Sequence, residues 1–381
     1  MTCGRTTIST EVDVAIIGAG IIGLAVASEI ARQKAGVFVF EKNYAFGLET
    51  SSRNSEVIHS GIYYPTDSLK ARFCIEGKGL LYELCEQHGI CYKKLGKIIV
   101  ATEEDEVKQL EMLIKQGQKN GVEDLILLSG TELKKLEPKV EGRAGLLSPS
   151  TGIIDSHSLL QVYYNQASER GVKFVFNSEV IGIEKMGTKY KVQIKDREGI
   201  STFVACAVIN AAGLNSDQIA RMSGINISQS GYQLHYCKGE YFSLSSKWRN
   251  VISRLVYPPP EQAGLGIHLT LTLDGKVRLG PNAYYVETID YGVDDSKKDV
   301  FYQAAKKFLP YIEFEDLEPE FAGIRPKLQS PGEAFRDFVV VHEDRVGFPG
   351  LINLIGIESP GLTASPAIAR YVAKMVVDLF N

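Results

Sequence analysis

No long run of lysine or arginine occurs in this chain, and its 42 basic residues are outnumbered by 46 acidic ones, for a formal net charge of −4. The electrostatic footprint of a nucleic-acid binder is therefore missing, and nucleic acid is excluded as an expected partner. The six cysteines (Cys3, Cys74, Cys85, Cys91, Cys206 and Cys237) never fall at CxxC spacing, which speaks against a zinc site and a redox pair. Reduced thiols in a cytoplasmic protein are the expectation. No apolar stretch is long enough to cross a bilayer: the most apolar, 15–27, is too short and carries three glycines. Residues 1–10 are polar and lack the apolar core of a secretory signal, so they read as a frayed terminus. Repeats, low-complexity tracts and a strongly amphipathic anchor helix are also missing.

Hydrophobic residues make up 44% of the chain and charged residues 23%, ordinary values for a packed soluble protein. A length of 381 residues exceeds what one hydrophobic core usually serves, so two domains are expected. Residues 12–17 form a short apolar run ending in glycines, 21–33 suit a helix, and 37–40 are a second apolar run ending at Glu41, giving β, α, β. Helical spacing follows over 69–88, a strand over 96–102 and a surface helix over 103–120. Residues 156–170 read as a helix with Gly171 as its C-cap, followed by strands at 173–176, 179–184, 190–195 and 203–210. From 227 to 282 the β-branched and aromatic content predicts antiparallel strands. The end of the chain returns to a strand at 351–355, a Gly/Ser/Pro turn, and a helix over 365–380.

Gly18-Ala19-Gly20-Ile21-Ile22-Gly23 falls between the first predicted strand and helix, and Glu41 closes the second strand eighteen positions after Gly23. This is the full dinucleotide-binding fingerprint. Gly18 permits the tight turn, Gly20 lets the backbone approach a pyrophosphate, and Gly23 lets the helix pack on the strand. The helix start then offers N–H groups to phosphates, and Glu41 would accept ribose hydroxyls while repelling a 2′-phosphate, which disfavours NADP. FAD and NAD are not separated by the motif itself. The segment Glu49-Thr50-Ser51-Ser52-Arg53-Asn54-Ser55 supplies hydroxyl and amide groups suited to a cofactor, and Asn210-Ala211-Ala212-Gly213 turns on small residues that would let a cofactor lie against backbone.

Several longer stretches carry a resemblance over almost the whole chain. They are 13–23, Asn54-Ser55-Glu56-Val57-Ile58-His59-Ser60-Gly61-Ile62-Tyr63-Tyr64, Leu95-Gly96-Lys97-Ile98-Ile99-Val100, Ser150-Thr151-Gly152-Ile153-Ile154-Asp155 and Leu279-Gly280-Pro281-Asn282. In these the chain resembles the D-amino-acid-oxidase-like superfamily of FAD enzymes and, within it, the L-2-hydroxyglutarate dehydrogenases. The resemblance implies an α/β fold: a Rossmann-like, glutathione-reductase-like FAD-binding domain with an inserted antiparallel β-rich α+β substrate domain. The expected division is 10–92, 147–226 and 321–381 for FAD, and 93–146 and 227–320 for substrate. It also implies that Ala212 and Gly213 sit beside FAD, that Gly323-Ile324-Arg325-Pro326 brings Arg325 near the flavin, and that Pro360, Gly361, Leu362 and Thr363 offer N–H groups to the flavin's pyrimidine edge. Lys42 and Val180 complete the expected cofactor set. Glu56 departs from the pattern, standing where better-defined members carry Gly, and near a flavin its carboxylate could alter substrate selection.

Oxidation of a 2-hydroxy acid needs a base for the hydroxyl proton and a partner for the carboxylate, and flavin is the hydride acceptor. His59 and His268 lie in matched segments; His268 is favoured as base, with His59 sharing that role or binding the carboxylate. Arg325 suits a carboxylate because its guanidinium fork pairs bidentately and stays charged. Lys238 is expected to take a second carboxylate, and Tyr64 and Tyr257 to close the pocket. The expected function is oxidation of a small 2-hydroxy acid, L-2-hydroxyglutarate first, with electrons passing to a quinone or another acceptor. A quinone would add contact with a membrane surface to an otherwise cytoplasmic protein. The alternatives are an amine oxidase of the same superfamily, a flavin-binding protein without turnover, and an NAD enzyme.

Overall fold

A computed structural model describes residues 10–260 and 266–380. Cys3 and the expected frayed terminus up to residue 9 lie outside the described residues, as do positions 261–265 within the expected antiparallel segment.

The first sheet has eight strands and is built around β1, Thr10–Ile17. β1 pairs in parallel with β2, Val37–Phe40, on one side and with Ile200–Asn210 on the other. Parallel neighbours covered on both faces account for the continuous apolar run Val14-Ala15-Ile16-Ile17, in which every residue is buried. Helix α1, Ile21–Ile30, is buried at nearly every position, because the helices Ser156–Glu169 and Gly361–Phe380 pack against it. It stops three residues short of the expected 33, where Ala31 caps it.

The C-terminal helix begins at Gly361, four residues before the expected start. Pro366 lies inside this helix. It is accommodated because the Leu362 carbonyl, which Pro366 cannot serve for want of an N–H, accepts the Ser365 hydroxyl at 2.9 Å. Helix Leu69–His88 sits close to this one: a Cβ on Gly77 would lie 2.3 Å from the Thr363 carbonyl oxygen. That contact fixes the start of the C-terminal helix.

The second sheet has nine strands, including Lys97–Ala101, Ala144–Ser148, His235–Leu244, Leu255–Tyr257 and Leu317–Lys327. It is antiparallel apart from Leu255–Tyr257 beside Lys97–Ala101, and the stretch from 227 opens with a helical turn, Ile227–Ser230. Residues 144–148 and 317–327 are single strands of this sheet, and each runs across an expected domain edge. A small third sheet joins Val57–Ile58, Gly152–Ile154 and Tyr92–Lys93. It carries the chain from the first sheet to the second.

Candidate active site

The turn between β1 and α1 needs its glycines for steric reasons. Gly18 has φ +101°, and a Cβ there would lie 2.5 Å from the Ala211 carbonyl oxygen; a Cβ on Gly23 would lie 1.9 Å from the Gly18 carbonyl oxygen. Gly23 therefore packs helix on strand. Gly18, Gly20, Glu41, Lys42, Thr50, Ser51, Val180, Ala212 and Gly213 line one groove. Ala211 and Gly213 are held at its edge by a buried polar chain: Asn210 donates to Asn353 at 2.8 Å, and Asn353 donates to Glu343 at 2.8 Å.

Glu41 is partly committed. Its carboxylate accepts the Ala19 N–H at 2.8 Å and two donors of Asn43 at 2.9 and 2.8 Å. With roughly four acceptor sites on a carboxylate, one remains for a ribose hydroxyl. Lys42 is paired with Glu49 and donates to Asn215. The hydroxyl and amide groups of the next loop serve largely to brace the loop. Ser51 Oγ accepts the Ile21 N–H at the start of α1, Thr50 donates to the Ile324 carbonyl, Asn54 bridges Ser51 and Glu56, and Ser55 bonds Tyr241.

Gly20, Thr50, Ser51, Ala211 and Gly213 border both this groove and a larger cavity of about 690 Å³, so the two run together as one channel. The cavity is bordered by His59, Tyr64, Tyr257, His268, Gly323 and Arg325, together with Asn54, Ser55, Pro360, Gly361 and Leu362. Sequence elements more than 300 residues apart thus converge on it. Thr363 does not border it; its hydroxyl accepts the His59 N–H at 3.0 Å and donates to the Val57 carbonyl at 3.2 Å, which ties the His59 loop to the C-terminal helix.

Arg325 reaches the cavity from strand Leu317–Lys327. Its guanidinium donates weakly to the Asn282 carbonyl at 3.4 and 3.5 Å, and among the described residues it has no carboxylate partner. Gly239, in the facing strand, leaves the space: a Cβ there would lie 2.9 Å from Arg325 Nη1. Cationic Arg53, Lys70, Arg325 and Lys327 face acidic Glu56 and Glu358 around the cavity, a surplus that suits an anionic ligand. Lys70 and Lys327 both point at Glu358, at 3.0 and 3.6 Å. Burial works against a charge on Glu358, but Lys70, Lys327 and Arg325 outweigh it and hold the carboxyl below its usual range.

His268 Nδ1 lies 2.7 Å from the Gly266 carbonyl, which can only accept, so Nδ1 carries the hydrogen and Nε2 is left as an acceptor with no partner among the described residues. Burial above all, with Lys97 and Arg325, brings its pKa down to about 3 against the smaller upward pull of the backbone bond. His59 is also brought down to about 3, by burial, Lys97 and His268. Its Nε2 is 3.3 Å from Ser359 Oγ, and its Nδ1 is buried with no partner among the described residues.

The expectation for Lys238 is corrected. Lys238 does not border the cavity: it is buried, its ammonium is 2.6 Å from Asp290 and 3.9 Å from Glu240, and no charge is left for a substrate. Glu240 beside it accepts from Asn282, Tyr284 and Lys297, so Lys238-Gly-Glu-Tyr holds the loop whose Asn282 carbonyl meets Arg325. Glu56 borders the cavity, but its Oε1 accepts the N–H and hydroxyl of Ser156 at 3.0 and 2.7 Å, at the start of helix Ser156–Glu169. Its φ of +56° lies in the left-handed region that favours glycine. Sequence alone assigns no role to Lys97, Lys70, Tyr63, Glu358 or Asn282. For Lys97 the signal was present: one lysine heading an otherwise apolar, fully buried strand, Lys97–Ala101.

The FAD dependent oxidoreductase family model matches residues 13–375. L-2-hydroxyglutarate dehydrogenase, mitochondrial, of Arabidopsis thaliana is 38% identical over 97% of this chain and 85% of its own length. The Homo sapiens enzyme of the same name is 32% identical over 100% and 92%, and L-2-hydroxyglutarate dehydrogenase of Escherichia coli K12 is 30% identical over 96% and 93%. Among solved structures, L-α-glycerophosphate oxidase of Mycoplasma pneumoniae with FAD bound superposes with a TM-score of 0.86 and 30% identity over 96% of this chain and 95% of that one. Glycine oxidase of Geobacillus kaustophilus, 22% identical with a TM-score of 0.79, shares the fold. The chain belongs to the FAD dependent oxidoreductase family, and FAD is its cofactor.

Proposed function

We propose that this protein oxidises a small 2-hydroxy acid, with L-2-hydroxyglutarate to 2-oxoglutarate as the leading assignment. The observation that carries the reading is the pairing, in one cavity, of a guanidinium and an imidazole Nε2 that, among the described residues, have respectively no carboxylate partner and no hydrogen-bond partner. The names of the curated relatives support the substrate, and the channel fits FAD: glycines at 18 and 23 leave no room for side chains beside the fingerprint turn, and the N-termini of α1 and of the C-terminal helix meet the channel. Gly18, Gly20, Glu41, Lys42, Thr50, Ser51, Val180, Ala212 and Gly213 would hold the dinucleotide, and Gly323, Pro360, Gly361 and Leu362 would border the flavin.

Bound flavin supplies the hydride acceptor. The protein's own part is binding and proton handling. Arg325 takes the C1 carboxylate as a bidentate fork, which orients C2. His268 Nε2 accepts the hydroxyl proton; its Nδ1–H is fixed by the Gly266 carbonyl, so the ring holds one tautomer. His59 Nδ1, unpartnered and buried, offers a second polar contact to the substrate. Tyr64 and Tyr257 close the cavity against water. The division into an FAD domain (10–92, 147–226, 321–381) and a substrate domain (93–146, 227–320) is part of the same proposal.

The test is the flavin absorbance of purified protein, recorded anaerobically with L-2-hydroxyglutarate and, in parallel, D-2-hydroxyglutarate, L-malate, L-lactate and glycine. Bleaching by L-2-hydroxyglutarate alone is expected; bleaching by glycine alone would move the reaction to amines. We also propose a quinone at a membrane surface as electron acceptor, with the protein cytoplasmic and peripherally attached, since the curated relatives are named dehydrogenases. No helix among the described residues is long and apolar enough to cross a membrane. Turnover faster with oxygen than with a soluble quinone analogue would reject that acceptor.

A further inference from the structure

Lys97 opens its strand between Ser148 and Leu255 of the neighbouring strands and is 1% exposed. Lysine is almost never fully buried without a partner. Among the described residues, however, no carboxylate forms an ion pair with this amine. It faces aromatic rings instead, 4.3 Å from the centroid of Tyr63 and 4.9 Å from that of Tyr257. Both rings border the cavity and Lys97 does not. Tyr257 is also the ring on which His268 stacks. An isolated buried ammonium costs several kcal/mol, which a methionine of similar length would avoid. The rings offset part of that cost, because each presents a negative face to the cation.

We propose that Lys97 is a positioning residue for the anionic substrate: its charge, held behind the Tyr63 and Tyr257 wall, draws a carboxylate ligand into the cavity without touching it. The inference rests on the reading that the cavity takes a hydroxy acid, and it adds a dependence on pH. Burial holds the Lys97 amine down to about 7, with Cys74 pulling weakly the other way. The other titratable groups facing it keep their state between pH 6 and 9. From the loop after Val57–Ile58, His59 is neutral at about 3 and burial pushes the Tyr63 phenol up. From helix Leu69–His88, burial pushes the Cys74 thiol up to about 12. From the second sheet, the Tyr257 phenol is pushed up by burial and His268 is neutral at about 3. The more distant Arg325 and Glu358 remain charged throughout.

Below about 7 the amine is charged and favours an anion. As pH rises through that value the charge is lost and the attraction with it. A bound anion stabilises the charged amine, so binding near neutrality takes up a proton.

The experiment uses the FAD-loaded protein and glutarate, a dicarboxylate with no hydroxyl to oxidise, with Kd read from the perturbed flavin band between pH 6 and 9. For the wild type, binding on the order of tenfold weaker at pH 9 than at pH 6 is expected, the size of one charge interaction across a protein wall. Lys97→Met should bind at the weak limit at every pH. A wild-type Kd that does not change across the range would overturn the inference without any variant, which covers a Lys97→Met protein that does not hold FAD. So would Lys97→Met with the wild-type affinity and slope. If no hydroxy acid bleaches the flavin but glutarate shows the pH dependence, the assigned reaction fails and the role of Lys97 in anion binding stands.

Discussion

The imidazole of His268 lies flat on the ring of Tyr257, with centroids 3.7 Å apart and planes 19° apart. The stack and the Gly266 carbonyl together fix both the plane and the tautomer of the proposed proton acceptor. His268→Gln is therefore expected to lower kcat by roughly 10²-fold or more while FAD content is retained. Tyr257→Phe keeps the stack and should stay within a few-fold of wild type, whereas Tyr257→Leu frees the imidazole and should cost kcat more than KM. Stopped-flow flavin reduction measures all three. Full-speed reduction by His268→Gln would transfer the base role to His59.

The same histidine makes stability depend on pH. Its folded pKa of about 3 lies below the unfolded value near 6.5, so between these limits the unfolded chain binds a proton that the native imidazole refuses. This contribution is fully present above 6.5 and is lost as pH falls, at up to about 1.4 kcal/mol per pH unit. Urea unfolding of wild type and His268→Asn at pH 7.5 and 5 should show the wild type losing about 2 kcal/mol more than the variant. Equal losses would mean that the imidazole is not buried neutral.

Glu56 joins a backbone strain to a helix cap. A left-handed φ costs a non-glycine residue roughly 1–2 kcal/mol, and the two bonds from Ser156 offset it. Glu56→Ala keeps the strain and loses the cap, so about 1–2 kcal/mol of stability should go. Glu56→Gly loses the cap and relieves the strain, and should be closer to wild type. Neither should change which hydroxy acid bleaches the flavin. A switch of preferred substrate in Glu56→Gly would return the carboxylate to the substrate's surroundings.

These contrasts show what the sequence could and could not convey. The βαβ unit was legible because each of its parts is local: a buried parallel strand is apolar throughout, and the glycines at 18 and 23 are required by contacts within the same turn or one strand away. The convergence of His59, His268, Arg325 and the 360–362 turn came through resemblance to a family, since no periodicity links loops 300 residues apart. Lys238 was misplaced because a lysine beside Gly-Glu-Tyr looks the same in sequence whether its amine meets a ligand or Asp290. Lys97 shows the same limit: a lysine heading an apolar strand stands out in the sequence, but nothing local reveals that the space around it is walled by two tyrosines from other elements. The C-terminal helix starts four residues before its expected position, and its internal Pro366 is tolerated because one serine hydroxyl satisfies the orphaned carbonyl.

Arg325 and Gly239 supply a test of the carboxylate site that separates charge from geometry. Arg325→Lys keeps a cation but loses the fork, and Arg325→Met loses both. KM for the hydroxy acid should rise about tenfold or more in the first and further in the second, with kcat also falling because C2 is no longer aligned. Gly239→Ala leaves Arg325 in the chain but puts a methyl 2.9 Å from Nη1 and 2.8 Å from the Pro281 side chain, so the guanidinium must move. If position matters as much as charge, Gly239→Ala should show an Arg325→Lys-like rise in KM while binding FAD normally. Steady-state kinetics on the three variants decides the point. A Gly239→Ala enzyme with wild-type KM would mean that the fork adjusts freely, and that charge, not its bidentate placement, is what the substrate carboxylate meets.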